Sequence, residues 1–278
     1  MPITSHLLAS GPGWQVNDVV CTSGPADKPF EEQRDAASIA IVTAGTFRCR
    51  SPQGEALLSP GALLLGNPGE CFECGHEHGT GDRCLSFHFT PRFVEAVAAA
   101  RPGVRTTRLN AARLPPLPEL APLLAQAESA RDARDENALE EIALRLSGAV
   151  MAALADAAPS RNSPSPRDIA RVSDVIRYIE TSADERLSIA GLAREAAMSA
   201  YHFLRVFRQL VGMTPHQYVL RTRLHRAAML LRGSDRAVSE IALEAGFEDL
   251  STFNRRFRRV MGSTPGAYRA QRDRSGEG

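Results

Sequence analysis

Residues Phe203 to Tyr218 read FLRVFRQLVGMTPHQY, and residues Phe253 to Tyr268 read FNRRFRRVMGSTPGAY. The two stretches lie 50 positions apart and share phenylalanines, arginines, a glycine, a Thr-Pro pair and a tyrosine. Upstream of each stretch the pattern Ala-x-Glu-Ala recurs, starting at Ala193 and at Ala242. These two starts lie 49 positions apart, one fewer than the two main stretches. A repeat that keeps turn residues, capping residues and arginines predicts a duplicated structural unit with a duplicated surface.

Each copy is predicted to form two short helices separated by a tight turn. The first copy restarts at Ser199, and the second breaks at Gly246 and restarts at Asp249; serine and aspartate are common helix N-caps, and glycine suits the turn that ends a helix. Each second helix ends near a glycine, Gly212 or Gly262, and a Thr-Pro pair then suits the start of another helix. The pattern therefore predicts two helix-turn-helix units.

A helical wheel divides each second helix into an apolar side and a polar side. The predicted core residues are Phe203, Val206, Phe207 and Leu210 in the first copy and Phe253, Phe257 and Val260 in the second. The predicted outward-facing residues are Tyr201, Leu204, Arg205 and Arg208, then Ser251, Asn254, Arg255 and Arg258. A single polar helix face is more often only solvated. The same face in both copies favours the reading of base edges in a DNA major groove.

The stretch Gly246 to Arg259, followed by Gly262-Ser263-Thr264-Pro265 and Tyr268-Arg269, resembles the signature of the AraC/XylS family of bacterial transcription regulators. The upstream copy and the segment from Tyr218 to Leu231 fit the same family, so the resemblance covers residues 167–272. It implies two helix-turn-helix subdomains joined by one long helix, with two recognition helices in successive major grooves of promoter DNA. It also implies RNA polymerase as a partner and a possible homodimer.

Carried over by position, the resemblance implies a set of base-contacting residues: Tyr201, Leu204, Arg205, Leu250, Ser251, Asn254 and Arg255. Arg208 and Arg258 complete the expected DNA-binding set. Leu204 and Leu250 are apolar where a hydrogen-bonding side chain would read bases better. They either contact a thymine methyl group or contribute only to packing, and the sequence leaves both alternatives open.

Charge and composition divide the chain into the same parts. Residues 167–278 carry 19 arginines against 13 acidic residues, a net charge of +6, whereas residues 1–166 carry a net charge of −5. This asymmetry is typical of a nucleic-acid-binding module joined to another domain. The Pro- and Ser-rich stretch 158–166 predicts a linker between an N-terminal domain, residues 1–157, and a DNA-binding domain, residues 167–272.

The N-terminal domain is predicted to be a small β-barrel or jelly roll, because short apolar runs alternate with Gly and Pro turns. Ser38–Thr43 and Thr46–Arg50 predict a hairpin around Gly45, and Leu57–Leu65 predicts two short strands around a Pro-Gly turn. In the run Cys84–Phe89, apolar residues alternate with Cys, Ser and His. The strand order resembles the cupin-like sensor domain of the same family, so the expected fold class is α+β, with helices trailing the barrel and an all-α C-terminal domain.

Two helices are predicted after the barrel, over Leu117–Arg131 and Glu136–Ala157. The second has an apolar stripe formed by Leu139, Ile142, Leu146, Val150 and Leu154. By itself this stripe predicts a core face against the barrel. By family resemblance it could also form a dimer interface, and we weigh the two alternatives evenly.

A cysteine- and histidine-rich loop is the most unusual local feature of the N-terminal half. Cys71, Cys74, His76, His78 and Cys84 offer enough soft or borderline ligands for tetrahedral zinc or another thiophilic metal. The spacing is not that of a standard zinc knuckle, and cysteine is often a small buried apolar residue. Structural or effector-pocket roles, a metal site and a thiol redox sensor remain alternatives.

Two functional classes follow from these features. The first is a transcription regulator, not an enzyme, whose N-terminal domain senses a small molecule or a metal. The second is a cupin metalloenzyme fused to a DNA-binding module, but His76-Glu77-His78 has no convincing downstream ligand set at the spacing such enzymes use. Residues 1–10 contain neither a cationic leader nor a long apolar run, so we expect a cytoplasmic protein without a membrane partner.

Overall fold

The computed structural model describes residues 3–76, 81–100, 107–156 and 164–274. Its strands are β1 (Ile3–Gly11), β2 (Trp14–Cys21), β3 (Phe30–Gln33), β4 (Ala37–Gly45), β5 (Phe47–Ser51), β6 (Gly54–Leu58), β7 (Leu63–Gly66), β8 (Cys71–Gly75), β9 (Asp82–Phe89) and β10 (Arg113–Leu114). Its helices are α1 (Pro91–Ala99), α2 (Ala121–Ala133), α3 (Glu136–Asp156), α4 (Pro166–Ser182), α5 (Ile189–Glu195), α6 (Ala200–Val211), α7 (Pro215–Gly233), α8 (Val238–Glu244), α9 (Leu250–Met261) and α10 (Pro265–Arg274). Within these ranges no helix combines the length and the apolar character that crossing a bilayer requires.

The strands form two antiparallel sheets that face each other. One sheet has the order β1-β2-β9-β4-β7-β10, and the other has the order β3-β8-β5-β6. On β9 the residues Leu85, Phe87 and Phe89 pack into the core shared with α2 and α3, whereas Cys84 packs into the core between the sheets. The predicted alternation along this strand is therefore confirmed, as is the jelly-roll-like barrel with trailing helices.

The predicted hairpin around Gly45 is wrong. β4 pairs with β7 and β9 in the six-stranded sheet, whereas β5 pairs with β6 and β8 in the four-stranded sheet. The chain therefore crosses from one sheet to the other at Gly45 instead of folding back beside itself. The two strands on either side of the Pro60-Gly61 turn are present as predicted, and they too lie in different sheets.

The apolar stripe of α3 is a core face. Its five residues are buried together with apolar residues of β2, β4 and β9. A stripe that is buried within its own chain is not available to a second chain, so this face of α3 is not a dimer interface.

The turn between α2 and α3 is short. α2 ends at Ala133, and the next residue, Arg134, has a left-handed backbone conformation. The Asp135 carboxylate then accepts a hydrogen bond from Ala138 N at 2.9 Å near the start of α3.

The C-terminal half consists of two three-helix units, α4–α6 and α8–α10, joined by α7. The first core contains Phe203 and Phe207, and the second contains Phe253 and Phe257. In both units the second phenylalanine packs edge-on against a buried tyrosine, at ring centroid distances of 5.9 Å and 5.4 Å. The repeat in the sequence is therefore a repeat in packing.

Two details of this half differ from the sequence-based prediction. α4 begins at Pro166 and is capped by Ser165, so the helix starts just before the predicted domain boundary. Val260 was expected in the core but is only partly buried, and the next residue, Met261, is buried instead. Residues 158–163 of the predicted linker lie outside the described part of the chain.

The barrel packs against the helical units. Leu57 of β6 belongs to the core of the first unit, and Ala125 of α2 belongs to the core of the second. Two arginines connect the halves: Arg113 donates through Nη2 to the carbonyl oxygen of Leu210, and Arg221 Nη1 donates to the Pro60 carbonyl oxygen at 2.9 Å. Burial lowers the pKa of Arg113 to about 10, so this guanidinium still carries its charge at neutral pH.

Candidate nucleic-acid interface

The turn of each helix-turn-helix unit is fixed by a left-handed residue and a side-chain cap. The left-handed residue is Ala197 in the first unit, with φ 47°, and Gly246 in the second, with φ 85°. Ser199 accepts a hydrogen bond from His202 N at 3.3 Å, and Asp249 accepts from two backbone N–H groups at 3.1 Å and 2.8 Å. These caps set where α6 and α9 begin, and therefore which residues each helix presents outward.

The cap of α9 also has an electrostatic consequence. The Thr252 hydroxyl, together with the backbone N–H groups of Thr252 and Ser251, holds the pKa of Asp249 below its ordinary value. The carboxylate therefore stays charged at neutral pH. A negative charge at the N-terminal end of a helix is favoured by the helix dipole.

The outward face of α6 carries exposed arginines. Arg205 and Arg208 are exposed, and Leu204 has 37% of its surface exposed, so part of its side chain is open to solvent. Arg205 Nη2 lies 3.2 Å from His202 Nδ1, and His202 Nε2 lies 3.3 Å from Asp168 Oδ1 on α4. This chain of contacts limits the positions that the Arg205 side chain can take.

The outward face of α9 matches that of α6. Ser251, Asn254, Arg255 and Arg258 are exposed as predicted. Leu250 is 43% exposed, so part of its side chain is open to solvent as well. A shallow concavity on this face is lined by Asn254, Arg255, Arg258, Arg259 and Thr264. The side chain of Tyr201, the remaining predicted contact, lies outside the described residues.

The two units are held to each other by α7 and by contacts across it. Arg223 on α7 donates to the carbonyl oxygens of Ala183 and Glu185, at 2.5 Å and 2.7 Å, in the loop after α4. Arg186 in the same loop forms a salt bridge of 2.7 Å with Glu248, which lies in the turn before α9. At about 1.5 Å per residue, the 19 residues of α7 extend about 28 Å. The spacing between the two exposed faces is therefore fixed by packed structure.

The structure separates the residues of the predicted metal loop. Cys71 is exposed, whereas Cys74, an odd number of positions later on β8, lies on the opposite face and is buried between the sheets. Cys71 and Cys74 therefore cannot ligate the same ion without a change in the strand. His76 and Cys84 are both buried, and His78 lies outside the described residues.

The buried thiols line the space between the sheets. Cys49 and Cys74 are directly opposite in the β5–β8 pairing, and a hydrogen bond between them lowers the pKa of Cys49 and raises that of Cys74. Burial raises the pKa of Cys84 well above its ordinary value. Burial also lowers the pKa of His88 to about 4, with a smaller contribution from Arg34, so that imidazole is neutral at neutral pH.

Sequence reasoning missed three kinds of residue at these sites. His202 and Asp168, which support Arg205, belong to different helices and share no local pattern. Cys21 and Asp82 lie beside His76, but only strand pairing brings them there. The interdomain contacts of Arg113 and Arg221 likewise depend on how the two halves pack, for which the sequence contains no short-range signal.

Two known families match the two halves of the chain. A helix-turn-helix domain family matches residues 192–271, and the AraC-like ligand binding domain family matches residues 23–154. The probable transcriptional regulator LumQ of Photobacterium leiognathi is 37% identical over 91 residues, which are 33% of this chain and 37% of LumQ. The HTH-type transcriptional activator AarP of Providencia stuartii is 34% identical over 98 residues, which are 35% of this chain and 73% of AarP.

A solved structure of a DNA-binding domain is among those similar to the chain. It is the crystal structure of the DNA-binding domain of AdpA in complex with a target DNA, with 36% identity, a TM-score of 0.37, and coverage of 39% of this chain and 98% of that one. The chain spans little more than a third of the length of LumQ, so the similarity to that relative concerns one part of each protein.

Proposed function

The chain belongs to the AraC/XylS family of bacterial transcription regulators, and we propose that it binds promoter DNA sequence-specifically and controls transcription in response to a signal sensed by residues 1–157. The observation that carries the proposal is the duplicated exposed face of α6 and α9. Each face presents an arginine pair after a capped turn, and packed helices hold the two faces at a fixed spacing. The proposal assigns no catalytic step to the chain.

Base reading is assigned to the residues nearest the start of each recognition helix. Arg205 and Arg255 can each form two hydrogen bonds with O6 and N7 of a guanine, and Asn254 suits N6 and N7 of an adenine. Leu204 and Leu250 are exposed enough to contact thymine methyl groups. Tyr201 and Ser251 complete the proposed set. The two halves of the site need not read the same sequence, because Leu204 stands where the second copy has Asn254.

Arg208 and Arg258 are assigned to the phosphate backbone. Each lies three residues beyond its base-reading arginine, on the same side of the helix and closer to its C-terminal end. In helix-turn-helix proteins the N-terminal residues of the recognition helix contact bases. Phosphate contacts orient the protein on the duplex and contribute affinity without sequence information.

The signal is proposed to reach the DNA-binding half through the packed interface between the domains. α2 packs against α7 and α9, and the Pro60-Gly61 turn holds Arg221 of α7. Activation of transcription, contact with RNA polymerase, homodimer formation and a cytoplasmic location belong to the same proposal, and family membership supports them. The name of AarP describes a transcriptional activator.

The full-length protein is expected to protect two patches on one side of DNA, with centres about 34–36 Å apart, which is one helical turn of the duplex. The reason is that both units carry an equivalent recognition helix, and α7, with the hydrogen bonds from Arg223 to the loop after α4, holds their separation. Hydroxyl-radical footprinting on a site selected from random DNA would measure the spacing. Protection confined to a single major groove would contradict this arrangement.

A further inference from the structure

A buried cluster of three metal-ligand types lies at one end of the barrel. Cys21, His76 and Asp82 bring one possible ligand atom each to within 4.8 Å of one another. Cys21 and His76 are each 5% exposed, and the Asp82 side chain is 8% exposed. A thiol, an imidazole and a carboxylate are the three side-chain groups that zinc binds in proteins. Of the five predicted metal ligands, Cys71, Cys74, His76, His78 and Cys84, only His76 belongs to these three residues.

The cluster is built by the pairing of strands. Cys21, the last residue of β2, pairs directly with Asp82, the first residue of β9, and His76 follows β8 of the other sheet. Gly81 N donates to the Ser23 carbonyl oxygen at 2.8 Å, and Gly81, with φ 76°, packs so closely on the Cys21 carbonyl group that it leaves no room for a Cβ atom. The backbone that positions Cys21 and Asp82 is therefore fixed without a ligand.

The three ligand atoms lie on the scale of a small-cation site. Ligand atoms of a tetrahedral zinc site, with bonds of about 2.0–2.3 Å, lie about 3.3–3.8 Å apart, so the hydrogen bond between His76 and Asp82 has to open for an ion to enter. His76 Nε2 lies 2.6 Å from Asp82 Oδ2. The Nδ1 atom of His76 is buried and has no hydrogen-bond partner among the described residues. A buried polar atom without a partner is costly unless a ligand satisfies it.

A further thiol contacts one of the three ligands, although its sulfur is not among the atoms that lie within 4.8 Å of one another. Cys84 Sγ donates to Asp82 Oδ1 at 3.4 Å, and Cys84 lies two residues after Asp82, on the same face of β9. Four protein ligands close a zinc site to substrate, whereas catalytic zinc keeps one position open. The burial of the cluster and its fourth ligand therefore favour a structural or regulatory ion over the metalloenzyme alternative.

We propose that Cys21, His76, Asp82 and Cys84 bind one thiophilic divalent cation, with Zn²⁺ as the probe, and that this ion is the signal that the N-terminal domain senses. The second half of the statement rests on the proposed function. Cys21, His76 and Asp82 already lie close together in the structure, and they form the core of the site. Cys84 is added to them as the fourth ligand.

Contacts connect the cluster to the DNA-binding half. Arg83 lies between two proposed ligands in sequence, and the Thr43 hydroxyl donates to its carbonyl oxygen at 2.9 Å. Arg131 of α2 donates to the same hydroxyl at 3.4 Å. One turn earlier on α2, Glu128 lies 3.2 Å from His225 of α7. Through these contacts, a displacement of the Asp82–Cys84 backbone would displace α2 and then α7, the helix that joins the two helix-turn-helix units.

The test uses full-length protein freed of metal with a chelator. Competition with a chromophoric chelator is expected to give one Zn²⁺ per chain for the native protein. It is expected to give the same value for the control Cys71→Ser. Cys71 is exposed and lies on the face of β8 opposite to the buried Cys74. Cys21→Ser and Asp82→Asn should each lower the affinity by more than the roughly 10- to 100-fold that is typical when a residue only supports a ligand. Absence of one-to-one binding by native protein would overturn the site, as would equal affinity in Cys21→Ser and Cys71→Ser.

The Co²⁺ spectrum of the native protein gives a readout that needs no variant. Bound to native protein, it is expected to show the strong visible bands of a tetrahedral site and thiolate-to-metal charge transfer, and the charge-transfer intensity should fall in Cys84→Ser. An octahedral spectrum without charge transfer overturns the ligand set.

The signalling role is tested by promoter binding. The affinity for promoter DNA should change by about 5- to 150-fold when Zn²⁺ is added to native protein, and it should remain constant in Cys21→Ser. Metal binding without such a change overturns the signalling role alone, and a metal-binding protein that binds no promoter overturns the proposed function alone.

Discussion

The double variant Arg205→Ala with Arg255→Ala is expected to lose its preference for a selected operator over random DNA. Each two-hydrogen-bond contact between an arginine and a guanine contributes about 1–3 kcal/mol of discrimination. The two arginines are exposed on separate helical units, so their contributions should add, to about 2–6 kcal/mol. At 1.4 kcal/mol per factor of ten, operator affinity should fall roughly 30- to 20,000-fold. Fluorescence anisotropy on a site selected from random DNA would measure the loss.

The matched control is the double variant Arg208→Ala with Arg258→Ala. These arginines are exposed on the same two helices and are assigned to phosphates, so their loss should weaken operator and random DNA alike. It should also reduce the slope of log affinity against log salt by about 2, because two phosphate contacts disappear. If the Arg205/Arg255 variant weakens operator and random DNA by the same factor, the assignment of base reading to these arginines is incorrect.

The C-terminal half could be predicted from sequence because its signals are local. The caps at Ser199 and Asp249 and the glycines after α6 and α9 act within a few residues, and all four have the predicted roles. The twofold repeat then supplied independent support for each boundary. Val260 was misplaced because a helical wheel gives the angle of a residue but not the depth of its neighbours, and Met261 fills the core at that end of α9.

The N-terminal half was harder because its strand pairs are distant in sequence. Gly45 is a turn residue in either topology, and only the pairing of β5 with β6 and β8 shows that the chain leaves the first sheet there. The same reason explains the metal cluster: Cys21 and Asp82 become neighbours through the register of β2 and β9. In contrast, Cys71 and Cys74 are close in sequence but point to opposite faces of a strand. Spacing along the chain predicts a shared site only when the local structure is known.

The interface between the domains can be tested with a pair of glycines that the repeat itself supplies. Gly212 and Gly262 end α6 and α9 in the same left-handed conformation, with φ 85° and 79°. Alanine at either position should lower the free energy of unfolding by about 1–2 kcal/mol, because the left-handed region is unfavourable for a residue with a Cβ atom. The surroundings differ, however. A Cβ atom at Gly262 meets open space, whereas one at Gly212 would overlap the ring of Pro115, which follows β10 of the barrel.

Gly212→Ala is therefore expected to cost about 1–3 kcal/mol more than Gly262→Ala, the usual penalty for overpacking. The overlap should push β10 away from α6 and break the hydrogen bond from Arg113 to the Leu210 carbonyl oxygen. Denaturant unfolding would give the difference in free energy, and hydrogen exchange at Arg113 and Leu114 should become faster only in Gly212→Ala. Because this contact joins the barrel to a recognition helix, the variant should also make promoter affinity less responsive to the signal. Equal exchange in the two alanine variants would mean that the barrel does not rest on α6 in solution.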